Sequence, residues 1–208
     1  MTVDRERLAG PALVIAPQLL GAVLASDVDG VRVAVRLTEV EAYEGLDDPA
    51  SHAFRGPTNR SAVMFGPPGY LYCYFTYGMH WCANVVCGRD GVAAAVLLRA
   101  GEVVAGIETA RERRPAARRD TDLARGPARL ASCLGLGRAT NGADLCEPGS
   151  VVRLDSVPAS RLANIASGPR VGITTATEHP WRFWIAEHPT VSSFKAGGRK
   201  RTTPRPAH

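Results

Sequence analysis

Lysines, aromatic residues and long apolar runs are all scarce in this 208-residue sequence. No apolar stretch reaches the ~20 residues a membrane-spanning helix needs. The start, MTVDRERLAG, lacks a charged-then-apolar secretory pattern, so a cytoplasmic protein without membrane contact is expected. The five cysteines (73, 82, 87, 133 and 146) are odd in number and contain no CxxC pair. That spacing excludes a disulfide framework and a zinc ribbon, and leaves the cysteines as small hydrophobes. The five histidines are scattered, and His179 and His188 each precede proline, a turn setting rather than a ligand set. No metal site is expected.

Lys195 and Lys200 are the only lysines, so arginine carries nearly all the positive charge. Residues 1–50 hold nine acids and four bases, a balance of −5; against a total of +5, residues 51–208 carry +10. Guanidinium groups bind phosphate bidentately and stack on planar rings, which suits a nucleic-acid partner. A GC-rich codon bias gives the same arginine excess, and composition does not separate the two.

The patterning predicts an α+β fold with a mostly antiparallel sheet flanked by helices. APQLLGAVLAS (16–26) reads as a helix opened by proline, and VRVAVRLTEVEAY (31–43) as a strand. Asp47 to Pro68, rich in Gly, Pro, Asp and Asn, reads as a long ordered loop of the functional kind. Residues 70–100 give three closely spaced strands. EVVAGIETARERR and DLARGPARLASCLGLG read as helices; VVRLD, VGITTAT and RFWIAEH read as short strands or turns. Residues 1–195 are expected to form one domain, and the basic, Gly/Pro-rich residues 196–208 a disordered tail.

Two features carry chemistry. In VRVAVRLTEVEAY, Glu39 and Glu41 fall on the same alternate positions as Val31, Val33, Val35 and Leu37. A regular strand would bury both acids at the edge of the Gly/Pro-rich loop, where one could act as a general base. A bulge would flip the register and return them to solvent.

The second feature is YLYCYFTYGMHWC (70–82), which holds six of the thirteen aromatics and four of the five tyrosines. Its alternation predicts a hairpin with Tyr77 and Met79 at the tip. A packed core accounts for Phe75 and Trp81, but poorly for a tyrosine and a methionine at an exposed turn. Large side chains at a rigid tip suit wedging between stacked bases, and flanking tyrosines suit stacking on an extruded base.

The run TEVEAYEGLDDPASHAFRGPTNRSAVMFGPPGYLYCYFTYGMHWCANVV, continued by GVAAAVLLRA, ARGPARL, GPRVGI and WRFW, resembles the alkyladenine (3-methyladenine) DNA glycosylase family of the methylpurine type. The likeness spans roughly residues 10–195. It implies a cofactor-free monomer that flips damaged purines out of double-stranded DNA and hydrolyses the N-glycosidic bond, initiating base excision repair. By position it implies Glu41 as the base that activates water, with Arg99 helping to hold both. Tyr43, His52 and Tyr74 would enclose the flipped base, and Asn84 would crowd the amine of normal guanine. Tyr77, with Met79 beside it, would fill the gap in the duplex, and a backbone group near Val171 would complete the water site. His80 departs from the family's frequent aromatic. Tyr70 and Tyr72 receive no role.

Two other readings compete: a nucleic-acid-binding module without chemistry, which leaves Glu41 idle, and a small Cys/His metalloenzyme. Both lysines lie in or beside the tail, so no Schiff-base nucleophile for strand cleavage is expected.

Overall fold

A computed structural model describes residues 2–155 and 164–198. The fold is α+β. Helix α1 spans Ala12–Leu19, α2 Ile107–Arg113 and α3 Pro127–Leu134. Strands β1 (Val23–Ser26), β2 (Val33–Tyr43), β3 (Leu71–Thr76), β4 (His80–Cys87), β5 (Ala94–Ala105) and β6 (Val152–Asp155) form one antiparallel sheet in the order β3-β4-β5-β2-β1-β6. The short strands β7 (Ile165–Gly168) and β8 (Arg182–Ile185) join it where β8 pairs with β2. The long central strand β2 therefore lies against β5 along one edge. Its other edge is shared by β1 and β8. No described helix is long and apolar enough to cross a membrane.

The core lies between the sheet and the helices, around residues such as Leu24, Val35, Leu98, Leu130 and Leu134. Beyond the hairpin, several element boundaries differ from the sequence reading; the helix expected over DLARGPARLASCLGLG is only Pro127–Leu134, and β7 has no counterpart in that reading. The helix expected at 16–26 starts earlier and ends at Leu19; Gly21, at φ 78, breaks the chain, and residues 23–26 become β1. Pro17 sits inside α1 rather than at its start. The helix expected from Glu102 begins only at Ile107, because β5 continues to Ala105. Gly106 makes that turn at φ 72, where a Cβ would meet the Arg32 carbonyl at 2.1 Å. From residue 199 on, the tail lies outside the described residues.

The strand with two acids follows neither sequence alternative. Between Leu37 and Glu39 the β2–β5 register slips by one residue at Thr38, and Arg99 compensates on β5. The core face of β2 thus passes from Val33, Val35 and Leu37 to Val40 and Ala42. Glu39 and Glu41 turn to the opposite face, as a bulge requires, yet both are fully buried there. The chain around β8 and residues 170–192 covers that face, through contacts that sequence alternation cannot register.

Candidate active site

Antiparallel pairing sets one row of side chains across four strands. Glu41 stands opposite Leu97, Leu97 opposite Asn84, and Asn84 opposite Tyr72. Leu97, Asn84 and Tyr72 of this row floor a cavity of about 320 Å³, whose walls include Tyr43, His52, Tyr74, Arg99 and Val171. The loop after β2 brings His52, and the segment after β7 brings Val171. Tyr77 reaches the rim. Glu41 is buried behind these walls.

The Glu41 carboxylate is held at three points. Its Oε1 accepts the Val171 backbone N–H at 2.7 Å and lies 3.3 Å from Arg99 Nη1. Its Oε2 accepts the Tyr43 hydroxyl at 3.0 Å. Burial raises its pKa above the usual carboxylate value; Arg99, Val171 and Tyr43 pull it back, and Glu39 adds to the rise. Burial also keeps the Tyr43 phenol protonated, well above its ordinary pKa.

Glu39 differs in its partners. It accepts Arg99 Nε at 2.9 Å, Arg182 Nε at 2.7 Å, and both the backbone N–H and hydroxyl of Ser192 at 2.7 and 2.9 Å. Four donors saturate it, and no part of it lines the cavity. Geometry separates the two acids that the sequence pattern treats alike: Glu39 is a buried hub, and Glu41 is the carboxylate held by the cavity-wall residues Tyr43, Arg99 and Val171.

The cavity walls are aromatic. His52 and Tyr74 meet edge to face with centroids 4.5 Å apart, and Tyr72 lies 5.6 Å from Tyr74. His52 Nδ1 and the Tyr72 hydroxyl are 3.1 Å apart, which fixes the imidazole. Partial burial and the nearby Arg60 charge draw the His52 pKa down to about 4, so the ring is neutral at pH 7. A neutral ring does not repel a cation in the cavity. Asn84 Nδ2 donates to the Tyr72 carbonyl at 3.1 Å, which pins the amide at the floor. Tyr72 therefore has a positioning part that the sequence did not suggest. Tyr70 lies away from the cavity, under the Arg5 guanidinium 5.1 Å from its ring.

A further pair was not legible in the sequence. Arg170 and Asp48, both fully buried, form a bidentate pair with Nη2–Oδ1 at 2.9 Å. The guanidinium lies 4.5 Å from the Tyr43 ring and 4.9 Å from Trp181. It fixes the back of Tyr43 and ties the loop after β2 to the segment bearing Val171. The partners are separated by 122 residues, and no local pattern marks them.

At the hairpin tip, Tyr77 is 84% exposed and Met79 67%. Met79 N–H closes the turn on Thr76 O at 3.2 Å, and Tyr77 and Gly78 both have positive φ, at 52° and 68°. Only Asn84–Cys87 of β4 pair with β5, so the distal hairpin stands free of the sheet. Phe75, expected in the core, is consequently 46% exposed, and its ring rests on Trp81 at 5.2 Å. All five cysteines are free, with Cys82 on the cavity wall. Among the described residues no three His, Cys, Asp or Glu side chains group as a metal site.

A family model described as methylpurine-DNA glycosylase matches residues 6–189. A provisionally named 3-methyladenine DNA glycosylase of Streptomyces avermitilis is 51% identical over 202 residues, covering 96% of this chain and 94% of its own. Relatives given the same provisional name in Nocardia farcinica and Leifsonia xyli are 50% and 52% identical; the alignments cover 95% and 92% of this chain, and 93% and 92% of theirs. The chain belongs to the methylpurine-DNA glycosylase family.

Proposed function

We propose that this protein is a monofunctional DNA glycosylase. It extrudes alkylated or deaminated purines of the 3-methyladenine, ethenoadenine and hypoxanthine class from duplex DNA and hydrolyses their N-glycosidic bond. The observation that carries this reading is the Glu41 carboxylate, buried behind an aromatic cavity and held by Val171, Tyr43 and Arg99. A raised pKa makes Glu41 a stronger base than a free carboxylate.

In this mechanism Tyr77 enters the duplex beside Met79 and the damaged nucleotide rotates into the cavity. Tyr43 and Tyr74 face the purine; for a cationic base each such contact adds about 0.5–2 kcal/mol of cation–π attraction. His52 supplies hydrogen bonding to neutral lesions, and Asn84 excludes the amine of guanine. Cleavage of the C1′–N bond leaves an oxocarbenium-like sugar, and the electron pair departs with the purine. Water adds to C1′ and gives its proton to Glu41. Because the Val171 N–H already serves the carboxylate, its carbonyl is the backbone acceptor for that water.

Strand cleavage by Schiff-base chemistry is absent in this scheme. The Lys195 carbonyl accepts the N–H of Gly172 on the cavity wall at 3.0 Å, but its side chain is exposed and lines no part of the cavity. Borohydride should therefore trap no covalent adduct with abasic DNA.

The test is Glu41→Gln on duplexes containing 1,N6-ethenoadenine, hypoxanthine or 3-methyladenine. Base release should fall by about 10²–10⁴-fold while duplex binding is retained. Unchanged release would refute the mechanism, and a parent protein that binds these duplexes without releasing any base would be a binding module instead.

A further inference from the structure

The β3–β4 hairpin has two faces, and the cavity occupies one of them through Tyr72, Tyr74, Cys82 and Asn84. Phe75 and Trp81 lie on the other. Under this second face an open groove of about 670 Å³ runs between the hairpin and α3. Met79, His80 and Trp81 line one side, and Arg114, Arg129 and Ser132 the other. Tyr77 and Met79 form the ridge between cavity and groove.

The charge in this groove is one-sided. Of the nearby acids, Glu108 and Asp120 engage Arg111, and Asp122 engages Arg119 and Arg125. Arg114 and Arg129 have no described carboxylate partner. Arg114 is half-buried, with Nε on the Leu123 carbonyl at 3.3 Å. Its pKa is lowered by burial and by the charge of Arg129, so the two cations feel each other. Like charges held together on one wall of a groove are relieved by an anion. The exposed Arg118 extends the basic surface outward from Arg114.

The ridge decides which anion fits. If Tyr77 occupies the stack and the damaged nucleotide lies in the cavity, the strand across the ridge is the undamaged one. We propose that the groove between the hairpin and α3 is a phosphate-binding site for the complementary strand of the duplex, with Arg114 and Arg129 as its anion-binding groups. This inference rests on the glycosylase reading for its orientation only.

Arg129 is exposed on α3, so replacing it leaves the core intact. Arg129→Glu, alone and with Arg114→Gln, should be compared with the parent on the same lesion in single-stranded and duplex oligonucleotides, by binding across a salt series. The affinity for duplex relative to single strand should fall about tenfold in the double variant, and the log–log salt slope on duplex should fall by about 2. Arg129→Lys should restore most of the loss. Equal losses on both substrates would assign the groove to the lesion strand, and no loss on either would remove it from the DNA interface; each result overturns the proposal. A parent that releases no base would defeat the glycosylase reading, while the duplex-to-single-strand binding ratio would still decide the groove.

Discussion

Glu39 and Glu41 are two residues apart, equally buried, and opposite in what they can do. Glu39 is saturated by two guanidinium groups and Ser192, so its removal takes the described carboxylate partner from Arg182 and leaves Arg99 with Glu41 alone. Glu39→Gln should cost about 3–5 kcal/mol, read as a lowered midpoint in chemical unfolding. For Glu41 the sign reverses. Its folded pKa lies above the unfolded value, so the proton binds more tightly in the folded protein. That stabilisation is complete below the unfolded pKa and is lost as pH rises through the folded one. At neutral pH the charged form is a burden, and Glu41→Gln, which resembles the protonated form, should raise the melting temperature while slowing base release by about 10²–10⁴-fold. The same shift places the acid limb of the excision rate above the pH of an ordinary carboxylate, and the residual rate of Glu41→Gln should not show that limb. Glu41 is singled out in the sequence by strand pattern and resemblance together, and Arg99 by resemblance alone. No sequence signal pairs Asp48 with Arg170, since only the folded chain brings them together.

Elements carry the next level of the design. The alternation of β2 was readable, and so was the oddity of acids continuing an aliphatic face. A bulge at Thr38 costs nothing in sequence pattern, so neither its place nor the layer that covers the acids could be foreseen. Likewise VLAS followed a helical pattern, and only pairing with β2 and β6 makes it a strand. The hairpin was legible because period-2 alternation and a Gly-containing turn agree. Its tip shows a local conflict: positive φ at both central residues favours Asn-Gly, yet the first is a tyrosine. Such strain is retained where a side chain has work to do. Tyr77→Asn separates shape from function. It suits the turn, so stability should stay within about 0.5 kcal/mol of the parent or exceed it, while affinity for lesion duplexes falls. Gly78→Ala, which meets no atom within 4 Å, should cost about 1 kcal/mol through backbone strain alone. A Tyr77→Asn protein that binds lesion duplexes as tightly as the parent would detach the tip from recognition.

Over the whole molecule, charge is distributed rather than simply positive. Residues 199–208 contain Arg199, Lys200, Arg201 and Arg205 and no acid, so four of the five net charges belong to them and residues 1–198 carry only +1. Acids such as Glu39, Glu41 and Asp48 are buried against arginines and present little field to the outside. Under the proposed function, attraction to an undamaged duplex is divided between the tail and surface arginines such as Arg129, and discrimination of damage falls to the hairpin and cavity. Each phosphate neutralised contributes about 0.9 to the slope of log affinity against log salt. A chain ending at Gly198 should lose up to about 3.6 of that slope on undamaged duplex. It should melt at the temperature of the full chain and release base from a bound lesion at the same single-turnover rate. Loss of the slope together with loss of single-turnover release would draw the tail into the site itself, and an unchanged slope would assign non-specific binding to the arginines of the folded body.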